Sequence, residues 1–116
     1  MPKPVAVITG LGGFTSLGIT LDEHLAWHQQ AKTGIRFNNE YPYPLGAVPN
    51  FNPRDFIKDK KSIRMMTFQV KLGVSSATQA FNDAELDANQ LAKYEDTFGV
   101  IYSSFFCQGF QNCTKP

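Results

Sequence analysis

Val5-Ala6-Val7-Ile8-Thr9 is apolar or β-branched at every position, and Gly10-Leu11-Gly12-Gly13 follows it directly. A strand with one wet face alternates apolar and polar side chains. This run does not alternate, so it reads as a strand covered on both faces, as in a parallel or mixed α/β sheet. Phe98-Gly99-Val100-Ile101-Tyr102 repeats the signature far along the chain. Two helical patterns and an irregular stretch separate the runs. The order strand, helix, insertion, helix, strand predicts an α/β fold whose two strands pair in parallel through helical crossovers. Two strands buried on both faces do not complete a sheet. The chain is therefore expected to lean on a partner chain or to expose apolar surface.

The first helix is predicted over about Leu21 to Lys32. Thr20 is its cap, Glu23 the reciprocal capping-box partner, and Gly34 the stop. The 36–52 stretch is rich in Asn, Pro, Tyr and Gly, with a short strand expected near Gly46-Ala47-Val48. Asn52-Pro53 reads as a cap followed by proline at the first helical position, anchored by Phe56 and Ile57. Met66, Val70, Val74, Ala77, Phe81 and Ala84 recur every three or four residues, predicting a long helix from about Ser62 to Ala84. A polar connection over 86–91 holds at most one further helical turn.

A formal net charge of +1 over 116 residues gives no global field toward nucleic acid or an anionic membrane. The apolar run at 5–8 is too short for a signal-peptide core or a membrane span, so a cytoplasmic protein without a membrane or nucleic-acid partner is expected. The two cysteines, Cys107 and Cys113, match no zinc pattern and read as free thiols in a reducing compartment. Asn112-Cys113-Thr114 has the form of a glycosylation acceptor but lacks a secretory context.

Five features could carry chemistry. The glycine turn after a strand invites a dinucleotide-binding reading. Against it, Phe14 to Thr20 intervenes before any helix, and no acidic residue ends a second strand at the required distance. His24 and His28 have the spacing of a helical metal pair but no zincin glutamate between them, and a surface or partly packed pair is the simpler reading. Cys107 has no histidine or helix terminus in evident reach to activate it. Lys58, Lys60, Lys61 and Arg64 cluster at a predicted helix N-terminus, where the macrodipole disfavours cations. Cations held there suit an acidic or phosphorylated partner surface, although a charge run is more often only a solvated face. No metal or other cofactor is implied. Phe105 and Phe106, just past the second apolar run, belong either to a core or to the wall of an apolar pocket.

Several segments together resemble the elongating β-ketoacyl-acyl-carrier-protein synthases. Val7-Ile8-Thr9-Gly10-Leu11-Gly12 with Leu17-Gly18 is similar to the family's opening "VTGLG…SPLG". Lys32-Thr33-Gly34-Ile35 resembles "GxSGI", and Gly46-Ala47-Val48-Pro49-Asn50-Phe51-Asn52-Pro53 resembles "AGEVPDFDP". Arg64-Met65 and Phe68 are similar to "RRMDRF", and Phe98-Gly99-Val100-Ile101 to the strand "RVGVIVGSG". No one motif is decisive; their order and spacing over nearly the whole chain are.

The resemblance implies part of a thiolase-like fold, the N-terminal portion of a layered αβαβα sandwich, so that residues 1–116 form an incomplete synthase domain. It implies decarboxylative condensation of acyl and malonyl thioesters by the whole protein, in fatty acid or polyketide synthesis, and assembly as a homodimer or a synthase-like heterodimer. The family's cysteine and two histidines fall beyond this chain, and Cys107 does not match the nucleophile's setting, so catalysis by the chain alone is not expected. The basic cluster coincides with positions that dock acyl carrier protein. Lys60 and Arg64 match basic family positions, Ile63 replaces another, and Lys61 compensates. The glycine-rich loop "GSGxGG" is replaced by Ser103-Ser104-Phe105-Phe106-Cys107-Gln108, and Phe106 falls within one residue of the acyl-pocket wall, where it would shorten the pocket. That departure admits an alternative, a non-catalytic chain-length-factor-like subunit that still docks acyl carrier protein.

Overall fold

The computed structural model describes residues 2, 3 and 5–103. Its elements are α1 (Leu21–Gln29), β1 (Ile35–Arg36), β2 (Leu45–Gly46), a 3-10 turn (Pro53–Asp55), α2 (Lys60–Ile63), α3 (Phe68–Asp83) and α4 (Ala88–Ala92). The architecture is helical with a small sheet, compatible with part of an α/β fold. The radius of gyration is 16.9 Å, against about 13 Å for a compact chain of this length.

Neither expected apolar strand forms. Residues 5–9 and 98–102 run without strand pairing, and Val5, Ile8 and Ile101 are 102%, 82% and 100% exposed. The physical reason is the one that the lack of alternation announced. Such strands gain stability from neighbours on both edges and cover on both faces, and among the described residues neither run meets a strand. Instead of a parallel pair, the described sheet is one short antiparallel ladder in the Asn- and Pro-rich stretch. Ile35 pairs with Gly46 and Arg36 with Leu45.

What organises the chain is α3. The segment 10–13 lies along it with glycines toward its backbone. A Cβ on Gly12 would meet the Ser76 carbonyl oxygen, with Gln79 Cβ at 2.7 Å and Ala80 N at 2.8 Å. Gly10 is equally close to Ala80 and Ala84 one turn on. These are glycines of close approach rather than of turn geometry. The amides of the segment are tied to the same helix. Leu11 N–H donates to Asp83 Oδ2 at 2.8 Å and Gly13 N–H to Gln79 Oε1 at 3.1 Å, while Gln79 Nε2 donates to the Ile19 carbonyl at 2.5 Å. On another stretch of α3, Tyr102 crosses Gly73, where a Cβ would lie 2.6 Å from its ring, and donates to the Gln69 carbonyl at 3.3 Å.

An aromatic cluster fastens the irregular stretch to this frame. Phe14 meets Phe51 edge-on at 5.0 Å and Phe56 at 4.9 Å, and Phe51 meets Phe68 of α3 at 6.0 Å. Ile57 and Ile63, 5% and 9% exposed, are buried on either side of α2's cap.

Helix ends differ instructively from expectation. Thr20 caps α1, accepting from Glu23 N at 3.2 Å, but the Glu23 carboxylate accepts from Ile19 N at 2.7 Å instead of closing the capping box. The helix stops at Gln29, before Lys32, because Ala31 turns left-handed with φ 52°. Ala31 N then bonds the His28 carbonyl and Lys32 N the Trp27 carbonyl, the paired bonds of a Schellman ending. Glu85 does the same after α3 at φ 56°, with bonds from Glu85 N to Asn82 O and Leu86 N to Phe81 O. Both residues carry a Cβ where glycine is preferred, which costs about 1 kcal/mol. Ala31→Gly and Glu85→Gly are each expected to stabilise the chain by about that amount, read as a higher urea midpoint. No gain at either position would contradict the left-handed assignment.

The predicted 62–84 helix is two helices. Thr67 is extended, with ψ 164°, and its hydroxyl accepts from Val70 N at 3.3 Å, so it caps α3 rather than continuing α2. Apolar periodicity runs across the break, and both helices pack against the same 3-10 turn.

Candidate functional site

The basic cluster stands on a locally fixed scaffold. Asn52 Oδ1 accepts from Arg54 N at 3.2 Å, and the Asp55, Phe56 and Ile57 amides bond back to the Asn52 and Pro53 carbonyls. Phe56 enters the aromatic cluster and Ile57 is buried. The chain then reaches Asp59, which caps α2 by accepting from Lys61 N at 3.1 Å and from the Ser62 hydroxyl. The Ser62 hydroxyl bond, then the Lys61 amide, holds the Asp59 carboxyl below its ordinary pKa of 3.8. A depressed pKa means the cap contributes above the ordinary value and is lost as pH falls through the lower folded value. At neutral pH the cap is intact.

Ile63 turns inward and sets the helix's orientation. At about 100° per residue, Lys60, Lys61 and Arg64 fall within roughly a 100° arc beside it. They line a hollow of ≈490 Å³ together with Arg54, Ile63 and Met65. Among the described residues no carboxylate forms an ion pair with these four cations. The surface thus combines cations free of ion pairs among the described residues with an exposed apolar side chain, Met65. Such a surface can hold an acidic partner that brings an apolar side chain with it.

Of the residues expected from sequence, Lys60, Lys61 and Arg64 are brought together, and Lys58 does not line the hollow. Phe105, Phe106 and Cys107 lie outside the described residues. Arg54 was missed. Ten residues separate it from Arg64, and only the capped Asn52-Pro53 turn hinted that the chain doubles back there.

The other candidates resolve differently. The Leu11 and Gly13 amides are already bonded to α3 side chains, one to a carboxylate, so the glycine segment offers no free anion cradle. His24 is a bridging residue. Nδ1 lies 2.5 Å from the Thr20 carbonyl, which fixes the proton there, and Nε2 lies 2.6 Å from the Thr15 hydroxyl, which donates to it in the neutral tautomer. Among the described residues no three His, Cys, Asp or Glu side chains gather as a metal site. No described helix is long and apolar enough to cross a membrane.

No family model matches the chain. It is similar to 3-oxoacyl-acyl-carrier-protein synthase 2 of Synechocystis sp., with 32% identity over 107 residues. The match takes in 87% of this chain and 25% of that protein, so the chain spans about a quarter of its relative's length. This similarity supports a synthase-like family.

Proposed function

We propose that the chain is the N-terminal portion of a 3-oxoacyl-acyl-carrier-protein synthase, an incomplete thiolase-like domain, and that its own contribution is to dock acyl carrier protein through Lys60, Lys61 and Arg64. The likeness over 87% of the chain to a synthase carries the family reading. The cations that line one hollow, free of ion pairs among the described residues, support the docking role. The whole protein would join acyl and malonyl thioesters, releasing carbon dioxide, in the cytoplasm and as a dimer. This chain alone would not, and a condensation product from acyl- and malonyl-loaded carrier protein would overturn that part.

Docking is tested by titrating fluorescently labelled acyl carrier protein into the chain. Lys60→Glu/Arg64→Glu is expected to weaken binding at least about tenfold at low salt, since like charge now faces like charge, and to flatten the salt dependence. Equal affinity for both proteins, or no binding by either, refutes the role. The loss of glycines over 103–108 favours a second reading, a chain-length-factor-like subunit without catalysis. The coding sequence downstream of Pro116 discriminates: a cysteine and two histidines in the family arrangement make the protein a synthase, and their absence makes it an accessory chain.

A further inference from the structure

We infer that the docking surface has two further anchors, which neither the charge run nor the resemblance assigns: Arg54 as a fourth cation and Met65 as an apolar seat. The inference rests on the docking reading above. Arg54 and Met65 line the same ≈490 Å³ hollow as Lys60, Lys61 and Arg64. Arg54 sits on a turn whose backbone is held by the Asn52 side chain and by successive amide bonds, with Phe56 and Ile57 anchored behind it. A cation on a fixed turn loses little freedom on binding, and a guanidinium grips a carboxylate through two parallel bonds where an ammonium offers a point charge. Met65 is 88% exposed and lines the hollow with the four cations, although Ile63, two residues before it, is buried. A flexible thioether there can fill against a partner's apolar side chain.

The occupant is therefore the acidic face of a carrier protein carrying an apolar residue between its carboxylates. Charge complementarity selects it, because four cations without ion-pair partners among the described residues repel a basic surface and gain no charge attraction from a neutral one.

The test is titration of unmodified acyl carrier protein, which lacks the prosthetic arm, into the full chain and its variants. Arg54→Ala is expected to weaken binding about three- to tenfold and to reduce the salt dependence, with Arg54→Lys recovering part of the loss. Met65→Ser is expected to weaken binding about threefold or more with the salt dependence unchanged. Far-ultraviolet circular dichroism of each variant checks that helix content is retained, and both side chains are solvent-facing. If Arg54→Ala and Met65→Ser bind like the parent while Lys60→Glu/Arg64→Glu does not, the added anchors are wrong and the docking reading stands. If the double reversal also binds like the parent, both fall together.

Discussion

Gly12→Ala should destabilise the chain by about 2–3 kcal/mol, while Gly13→Ala, one residue on, should change it by less than about 0.5 kcal/mol. The added methyl is the same in both. At Gly12 it meets the backbone of α3, at Ser76 and Ala80, which has no rotamer by which to yield. At Gly13 nothing lies within 4 Å of the new atom. Relief at position 12 requires the 10–13 segment to lift away. That strains the Leu11–Asp83 and Gly13–Gln79 hydrogen bonds, which hold the N-terminal run to the helix. Urea melts followed by circular dichroism give the comparison. Equal midpoints for the two variants would mean that the segment does not rest on α3.

Phe14→Ala is the second large effect, with an expected loss of about 3 kcal/mol, the lower end for removing a packed aromatic, because Phe14 is only half-buried. Phe14 is the shared member of two edge-to-face pairs, with Phe51 and with Phe56. Each such pair contributes about 0.5–1.5 kcal/mol beyond its area. Its loss also loosens the turn that carries Arg54. Limited proteolysis should therefore show faster cutting near residues 52–58 as well as a lower melting midpoint. A lower midpoint with unchanged cutting would separate the cluster from that turn.

Which parts of this arrangement were legible follows from what fixes them. Thr20 and Asn52 act through groups two or three residues away, and both were read correctly as caps. The end of α1 was not legible, because an alanine in the left-handed region has no sequence signature; the nearby Gly34 drew the boundary outward. Thr67 was hidden for the opposite reason, its cap lying inside an unbroken apolar rhythm. Gly10 and Gly12 were recognisable as special but not as packing glycines, since their neighbours lie some seventy residues away. The same holds at the surface. Lys60, Lys61 and Arg64 are visible as a run, whereas Arg54 reaches the hollow only through the fold of the Asn52–Ile57 turn.

The runs at 5–9 and 98–102, paired with no strand among the described residues, have a consequence for how the chain behaves in company. Each is a short β-prone window without charge or proline, the composition that seeds cross-β stacking between copies. The sequence places guards beside both. Pro2-Lys3-Pro4 precedes the first run, and Glu95-Asp96 stands just before the second. Proline withholds an amide from any incoming edge, and like charges in register repel when identical chains stack. Such gatekeepers add nothing to the folded state. They limit what these two runs can do in the interval before something covers them.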